Sequence, residues 1–204
     1  MTPHPGSVFV VSAPSGAGKS TLAQRLVRTV PDLIFSISFT TRQPRPGEVD
    51  GREYFFIDDD RFDAMVRDGG FVEWVQVYGH RYGTGRQWLE GVLATGLDVL
   101  LDIETTGAQS VRKAIPEARM IFILPPSAAS LEQRLRSRGK DSAEQIAIRL
   151  QHARHEMELH SAYDYLVLND DLELAYQQFE GIVRATRASR ERMAPVAQRI
   201  LEGF

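Results

Sequence analysis

The sequence predicts an α/β fold built on a mainly parallel sheet, and three observations carry that prediction. Apolar runs of strand type alternate with helical patterns along the chain, the order that parallel strands and their crossover helices require. The first run, Val8-Phe9-Val10-Val11, is continuous in apolar character, as a strand buried on both faces should be. A glycine-rich turn then leads straight into a helical pattern carrying Leu22, Leu26, Val27 and Val30.

The elements follow in order. The first strand covers 7–11, and the first helix runs from about Lys19 to Thr29, stopping before Pro31. Val99-Leu100-Leu101, Met120-Ile121-Phe122-Ile123-Leu124 and Tyr165-Leu166-Val167-Leu168 resemble the first strand. These four runs are the predicted central sheet. The region 34–84 reads differently, with mixed strands at 35–38, 53–57 and 71–77 and a short helix bearing Phe62, Met65 and Val66 that ends at Gly69-Gly70. It is predicted to be a small inserted β-rich subdomain. After Pro125-Pro126 come two helical patterns, 128–137 and 142–159. A last helix from about 171 to 192 is predicted to end before Pro195, with a short amphipathic tail beyond.

Composition narrows the class. The 204 residues are 43% apolar with a net charge of −3, enough for a real core and without the basic excess of a nucleic-acid binder. There is no cysteine, hence no disulfide framework and no thiolate metal site. No run reaches the ~18 apolar residues of a membrane span, and Met1-Thr2-Pro3-His4-Pro5-Gly6 lacks the basic-then-apolar pattern of a signal peptide. A soluble cytoplasmic protein is the expectation.

The turn Ser12-Ala13-Pro14-Ser15-Gly16-Ala17-Gly18-Lys19-Ser20-Thr21 sits in the strand–turn–helix setting of a phosphate-binding loop. Gly16 and Gly18 allow positive φ and close backbone approach, and the helix N-terminus aims partial positive charge at an anion. Lys19 can reach the β- and γ-phosphates, and the Ser20 hydroxyl can ligate Mg²⁺. The usual pattern has glycine where this chain has Ala13. The structural alternative is a glycine turn capping a helix.

Asp102 ends an apolar strand, so it faces the crevice at the carboxyl ends of the sheet. There it can hold Mg²⁺ opposite Ser20, directly or through water; the alternative is a strand that simply ends in Asp. Arg42 and Arg45 flank Pro44 in a stiffened loop, and two guanidinium forks suit a phosphate monoester, the alternative being a solvated basic loop. Glu73 alternates with Phe71, Val75 and Val77, with no Lys or Arg at 71–79. A carboxylate on an apolar face needs a partner, and the N1–H and N2–H₂ pair of guanine supplies one where adenine does not. The alternative is that this face is exposed. His155 and His160 are five apart, not the four that put a metal pair on one helix face.

Together these motifs resemble guanylate kinase over about residues 8–176. The phosphate loop is similar to the family's, whose bacterial members often carry Ala at its first position. The stretch 35–54, with Thr40-Thr41-Arg42-Gln43-Pro44-Arg45-Pro46-Gly47-Glu48, is similar to the family signature, and Phe71-Val72-Glu73-Trp74, Tyr82-Gly83-Thr84 and Asn169-Asp170-Asp171 also match. The resemblance implies a P-loop NTPase nucleoside monophosphate kinase fold. Its parts would be a core (1–35, 91–125, 161–204), a GMP-binding subdomain (36–90) and a helical lid (126–160). It implies GMP phosphate binding by Ser38, Arg42, Arg45, Tyr54 and Tyr82, and guanine reading by Glu73 and Thr84. Residues 13–21, from Ala13 to Thr21, would hold the phosphates of ATP, with Asn169 on the adenine side. Arg134, Arg138 and Arg149 would be lid and catalytic arginines, and Asp102 and Glu104 would lie at the substrate. The family commonly reads D-I-D-x-Q-G where this chain reads Asp102-Ile103-Glu104-Thr105-Thr106-Gly107, a departure that bears on how GMP or Mg²⁺ is positioned. The implied reaction moves the ATP γ-phosphoryl group to GMP, with dGMP acceptance left open, no nucleic-acid or membrane partner, and a monomer or homodimer. Two alternatives remain at this stage: a nucleotide-free interaction domain of the same fold, and a related kinase with another acceptor such as a ribose bisphosphate.

Overall fold

A computed structural model describes residues 5–77, 79–137 and 142–204. Among them the strands are β1 (Val8–Ser12), β2 (Leu33–Phe35), β3 (Phe39–Thr40), β4 (Phe55–Phe56), β5 (Phe71–Val77), β6 (His80–Gly85), β7 (Asp98–Asp102), β8 (Arg119–Leu124) and β9 (Tyr165–Leu168). The helices are α1 (Lys19–Thr29), α2 (Asp59–Arg67), α3 (Arg86–Ala94), α4 (Thr105–Ala114), α5 (Ala128–Ser137), α6 (Ala143–Glu158), α7 (Leu172–Arg187) and α8 (Arg190–Leu201). A 3₁₀ turn at Leu159–Ala162 follows α6.

The core sheet runs β2-β7-β1-β8-β9, every pairing parallel. β1 is buried along its whole length. Its side chains alternate between two apolar layers: Phe9 and Val11 pack with Leu22, Leu26 and Phe179 on one face, Val8 and Val10 with Leu89, Ala108 and Val111 on the other. That double burial explains the continuous apolar run. Val11 lies opposite Asp102, so the carboxyl ends of β1 and β7 open onto one crevice.

The sheet has one more core strand than the four predicted. Leu33–Phe35 pairs with β7, whereas the sequence pattern assigned Phe35 to a strand of the inserted subdomain. The alternation Phe35-Ser36-Ile37-Ser38-Phe39 looks like one half-buried strand, but the chain crosses within it. Ser36 still donates its N–H to the Leu100 carbonyl at 2.9 Å, and Phe39 already belongs to the second sheet. That sheet runs β4-β3-β6-β5 with β3–β4 parallel and the others antiparallel. The predicted strand at 53–57 shortens to Phe55–Phe56.

A bulge in β5 corrects a second expectation. Phe71 pairs with Gly85 and Glu73 with Thr84, so two residues of β5 oppose one of β6. Phe71 therefore leaves the Glu73 face and joins Trp74 around Phe62, at ring distances of 4.5 Å and 6.0 Å.

The C-terminal region differs as well. α7 ends at Arg187, and a new helix starts at Ser189, whose Oγ accepts the Arg192 N–H at 3.3 Å. Pro195 lies inside this helix and does not end it. Arg192 anchors the first turn to Asp98, which is fully buried and also accepts from Arg187 and the Ser7 N–H at 2.6, 2.8 and 2.7 Å. Asp98→Asn removes the charge from this node and should cost about 2 kcal/mol, read as a lower urea midpoint at unchanged m-value.

Candidate active site

The phosphate loop connects β1 to α1. Gly16 and Gly18 both have φ 94°, a conformation that a residue with a Cβ rarely holds. Gly18 precedes the first turn of α1, and no side chain caps that turn, which leaves its N–H groups for a ligand. Ala13, Pro14, Ser15, Gly16 and Gly18 line a cleft of about 260 Å³, completed by Lys19, Ser20 and Thr21. Ala17 has no exposed surface. Its carbonyl accepts from Asn169 Nδ2 at 2.6 Å and Arg134 Nη1 at 3.4 Å.

Glu104 and Glu156 form the far wall of this cleft. Glu156 is brought in by α6, and burial, then the Glu104 charge, push its carboxyl above the usual range. Lys19, the Ser15 N–H and His152 oppose that rise.

A second cleft of about 250 Å³ shares Lys19 and Glu104 with the first. Ser38, Tyr54, Glu73, Val75, Val77, Tyr82 and Asp102 line it. Glu73 is 5% exposed, so the exposed-face alternative does not hold. Its Oε1 accepts the Thr84 N–H at 3.1 Å and the Thr84 hydroxyl at 2.7 Å. Burial nevertheless raises its carboxyl pKa, against the lowering by Thr84. A Cβ at Gly107 would stand 2.8 Å from the other oxygen, Oε2. Any side chain at this position near the start of α4 would crowd the carboxylate.

Lys19 joins the clefts physically. Its Nζ is 2.5 Å from Asp102 and donates to the Ile103 carbonyl at 3.2 Å. Arg42 stands over the rings of Tyr54 and Phe56 at 5.3 and 5.7 Å. Glu48 holds it in a two-bond fork at 3.0 and 2.9 Å and accepts the Arg45 N–H at 2.7 Å. The Arg42 hydrogen bond, then the Arg45 N–H, hold the Glu48 carboxyl below the usual range. The Arg45 side chain is exposed and outside the lining of the second cleft.

The remaining expected site residues among those described lie on α5, on α6 and just after β9. Arg134 on α5 is bonded to the Ala17 and Asn169 carbonyls. Arg149 is half-buried on α6. Arg138 lies outside the described residues. Asn169 is buried, its amide turned to Ala17 and not to the cleft. Sequence reasoning gave no role to Glu48, Glu156 or Gly107. Glu48 stands six residues from Arg42 inside the basic loop, a pairing signal that was visible. Glu156 meets the loop only through tertiary packing.

Two clefts with a common lysine wall, one floored by a phosphate loop, set a donor and an acceptor side by side, which defines a P-loop kinase. The guanylate kinase family model matches residues 6–186. Guanylate kinases of Escherichia coli (strain K12) and Salmonella typhi are each 51% identical over 189 residues, covering 92% of this chain and 91% of theirs. The crystal structure of guanylate kinase from Anaplasma phagocytophilum matches with a TM-score of 0.71 and 32% identity, over 94% of this chain and 92% of that one. The chain belongs to the guanylate kinase family.

Proposed function

We infer that this chain transfers the γ-phosphoryl group of ATP to GMP, giving ADP and GDP in purine nucleotide metabolism. The observation that carries the choice of acceptor is Glu73, a buried carboxylate lining a cleft that shares Lys19 with the phosphate loop. The loop cleft takes the ATP phosphates on residues 13–21. Ser38, Arg42, Tyr54 and Tyr82 take the GMP phosphate, with Arg45 swinging in from solvent. Glu73 and Thr84 read guanine, and Asp102 and Glu104 border both substrates.

A phosphate monoester has a second pKa of ~6, so the attacking oxygen is already anionic and needs no base. Catalysis is then positioning and charge neutralisation. Lys19 stands where the two clefts meet and neutralises the group in transit. Arg138 and Arg149 serve the lid, Arg134 being held at the Ala17 and Asn169 carbonyls, and closure excludes water. The donor set fits magnesium. No three-residue metal cluster exists among the described residues, and Mg²⁺ ordinarily takes one or two protein oxygens plus phosphate and water. The Ser20 hydroxyl would hold it, with Asp102 acting through water. When bound, the ion would neutralise the β- and γ-phosphate oxygens.

The proposed division is a core (1–35, 91–125, 161–204), an acceptor subdomain (36–90) and a lid (126–160). The proposed setting is cytoplasmic, as a monomer or homodimer, with dGMP as a second acceptor to test. Among the described residues no helix is long and apolar enough to cross a membrane.

Glu48 orients Arg42 for the acceptor phosphate. Glu48→Ala should raise KM for GMP about tenfold and leave KM for ATP unchanged in steady-state assays; an unaltered KM for GMP removes Glu48 from this role. The reaction itself is tested by ADP release from MgATP with GMP, AMP, UMP and CMP offered separately. A strong preference for GMP supports it. Turnover with another acceptor overturns the guanine reading, and no turnover in folded protein favours an interaction domain.

A further inference from the structure

We propose that Asn169 and Arg134 are positioning residues that hold the phosphate loop in its anion-binding shape through the Ala17 carbonyl. This rests on the phosphate-loop reading above and assigns both side chains to the back of the loop, away from the ATP base and the transferring group.

The Ala17–Gly18 peptide is the sensitive part of the loop. A trans peptide carries its C=O and N–H on opposite sides. When the Ala17 oxygen points back into the protein, the Gly18 N–H points the other way, and Gly18 lines the donor cleft while Ala17 is wholly buried. A flip of this peptide turns ψ of Ala17, which has both helical and extended wells open to it, and φ of Gly18, which stands at 94°. Glycine tolerates either sign of φ, so the flanking residues oppose a flip of this peptide only weakly. The restraint must come from what the carbonyl is bonded to.

Asn169 Nδ2 donates to that carbonyl at 2.6 Å, and Arg134 Nη1 adds a longer bond at 3.4 Å. The donor is itself held in place. The Asn169 backbone N–H is tied to the Leu124 carbonyl at the end of β8 at 2.8 Å, and its own carbonyl accepts from Arg134 Nη2 at 2.9 Å. Arg134 thus spans the loop and its support. The fit is close: a Cβ on Gly18 would stand 2.2 Å from Asn169 Nδ2, and one on Gly16 would stand 3.1 and 3.2 Å from Leu131 and Leu135 of α5. At 5% exposure, the Asn169 amide reaches a base in the cleft only by abandoning a buried carbonyl, which is costly.

The test is equilibrium binding, by calorimetry at constant Mg²⁺, of ATP, inorganic tripolyphosphate and GMP. Wild type is compared with Asn169→Ala and Asn169→Leu, which remove the donor without adding charge. Tripolyphosphate has no base to recognise. The expected result is that ATP and tripolyphosphate both weaken, by the same factor of about ten, while GMP binds as before. Retained GMP binding also separates this effect from a general loss of fold. Weakening of ATP alone, with tripolyphosphate unchanged, overturns the proposal and assigns Asn169 to the adenine. Unchanged binding of both overturns it as well, and so does an equal loss of GMP binding in both variants. Failure of the kinase reading itself is seen elsewhere, in wild type that turns over no GMP.

Discussion

Lys19→Ala lowers kcat by about 10³-fold, with only a small change in melting temperature. The two halves of that expectation come from different features of one side chain. Lys19 lines both clefts, so in the proposed reaction its ammonium lies where the phosphoryl group crosses. A charge preorganised at that point stabilises the transition state more than either bound substrate, and its loss therefore appears in kcat. Its resting contacts are modest, an ion pair to Asp102 and one hydrogen bond to the Ile103 carbonyl. The two side chains of the pair are 19% and 27% exposed, so water can solvate an orphaned Asp102, and the cost to folding is about 1 kcal/mol or less. Turnover and thermal melting on the same preparation check both halves. A variant that melts normally and still turns over at the wild-type rate removes the loop lysine from the mechanism.

The fold was legible in the sequence where one physical requirement acted alone. Burial on both faces makes β1, β7 and β8 continuous apolar runs, and the phosphate loop needs its glycines at fixed places. What was hidden involved competition between requirements. Leu33–Phe35 is short and runs without a break into a polar-alternating segment, so periodicity could not show that the chain changes sheets there. The bulge at 71–73 breaks the alternation by one residue, which is why Phe71 was placed with Glu73 when it packs with Phe62 and Phe39. Ser189 starts a new helix six residues before Pro195, and its cap with the Arg192–Asp98 anchor outweighs the proline. At the site, Lys19, Glu73 and Asp102 were singled out from their setting in the sequence, and all three line the two clefts. The Asn169–Ala17 contact was not, because it joins residues 152 apart and involves a backbone carbonyl that no side-chain pattern encodes.

Glu73→Gln separates function from stability in one substitution. A carboxylate accepts the paired N1–H and N2–H₂ donors of guanine, and an amide in its place presents an N–H to one of them. Losing a charge-assisted bond and gaining a donor–donor contact should lower kcat/KM for GMP by about 10²–10³-fold, with the Kd for ATP unchanged. Stability should move in the opposite direction. The Glu73 carboxyl titrates above its ordinary value because burial disfavours its charged form. Between the unfolded and the folded pKa the native state binds more protons than the unfolded one, so stability falls as pH rises through that window. Above that window the ionised Glu73 is therefore a net burden on the ligand-free protein. Glutamine is neutral and keeps an oxygen for the Thr84 N–H and hydroxyl, so the variant should melt above wild type at pH 7. The gap should close on acidification, as wild-type Glu73 takes up its proton. Melting temperatures of both proteins across pH 4.5–8, set beside kcat/KM for GMP, check the pair of effects. A variant that loses GMP turnover but melts below wild type at every pH would mean that Glu73 holds the fold together through Thr84, and that its place in the acceptor cleft is incidental to recognition.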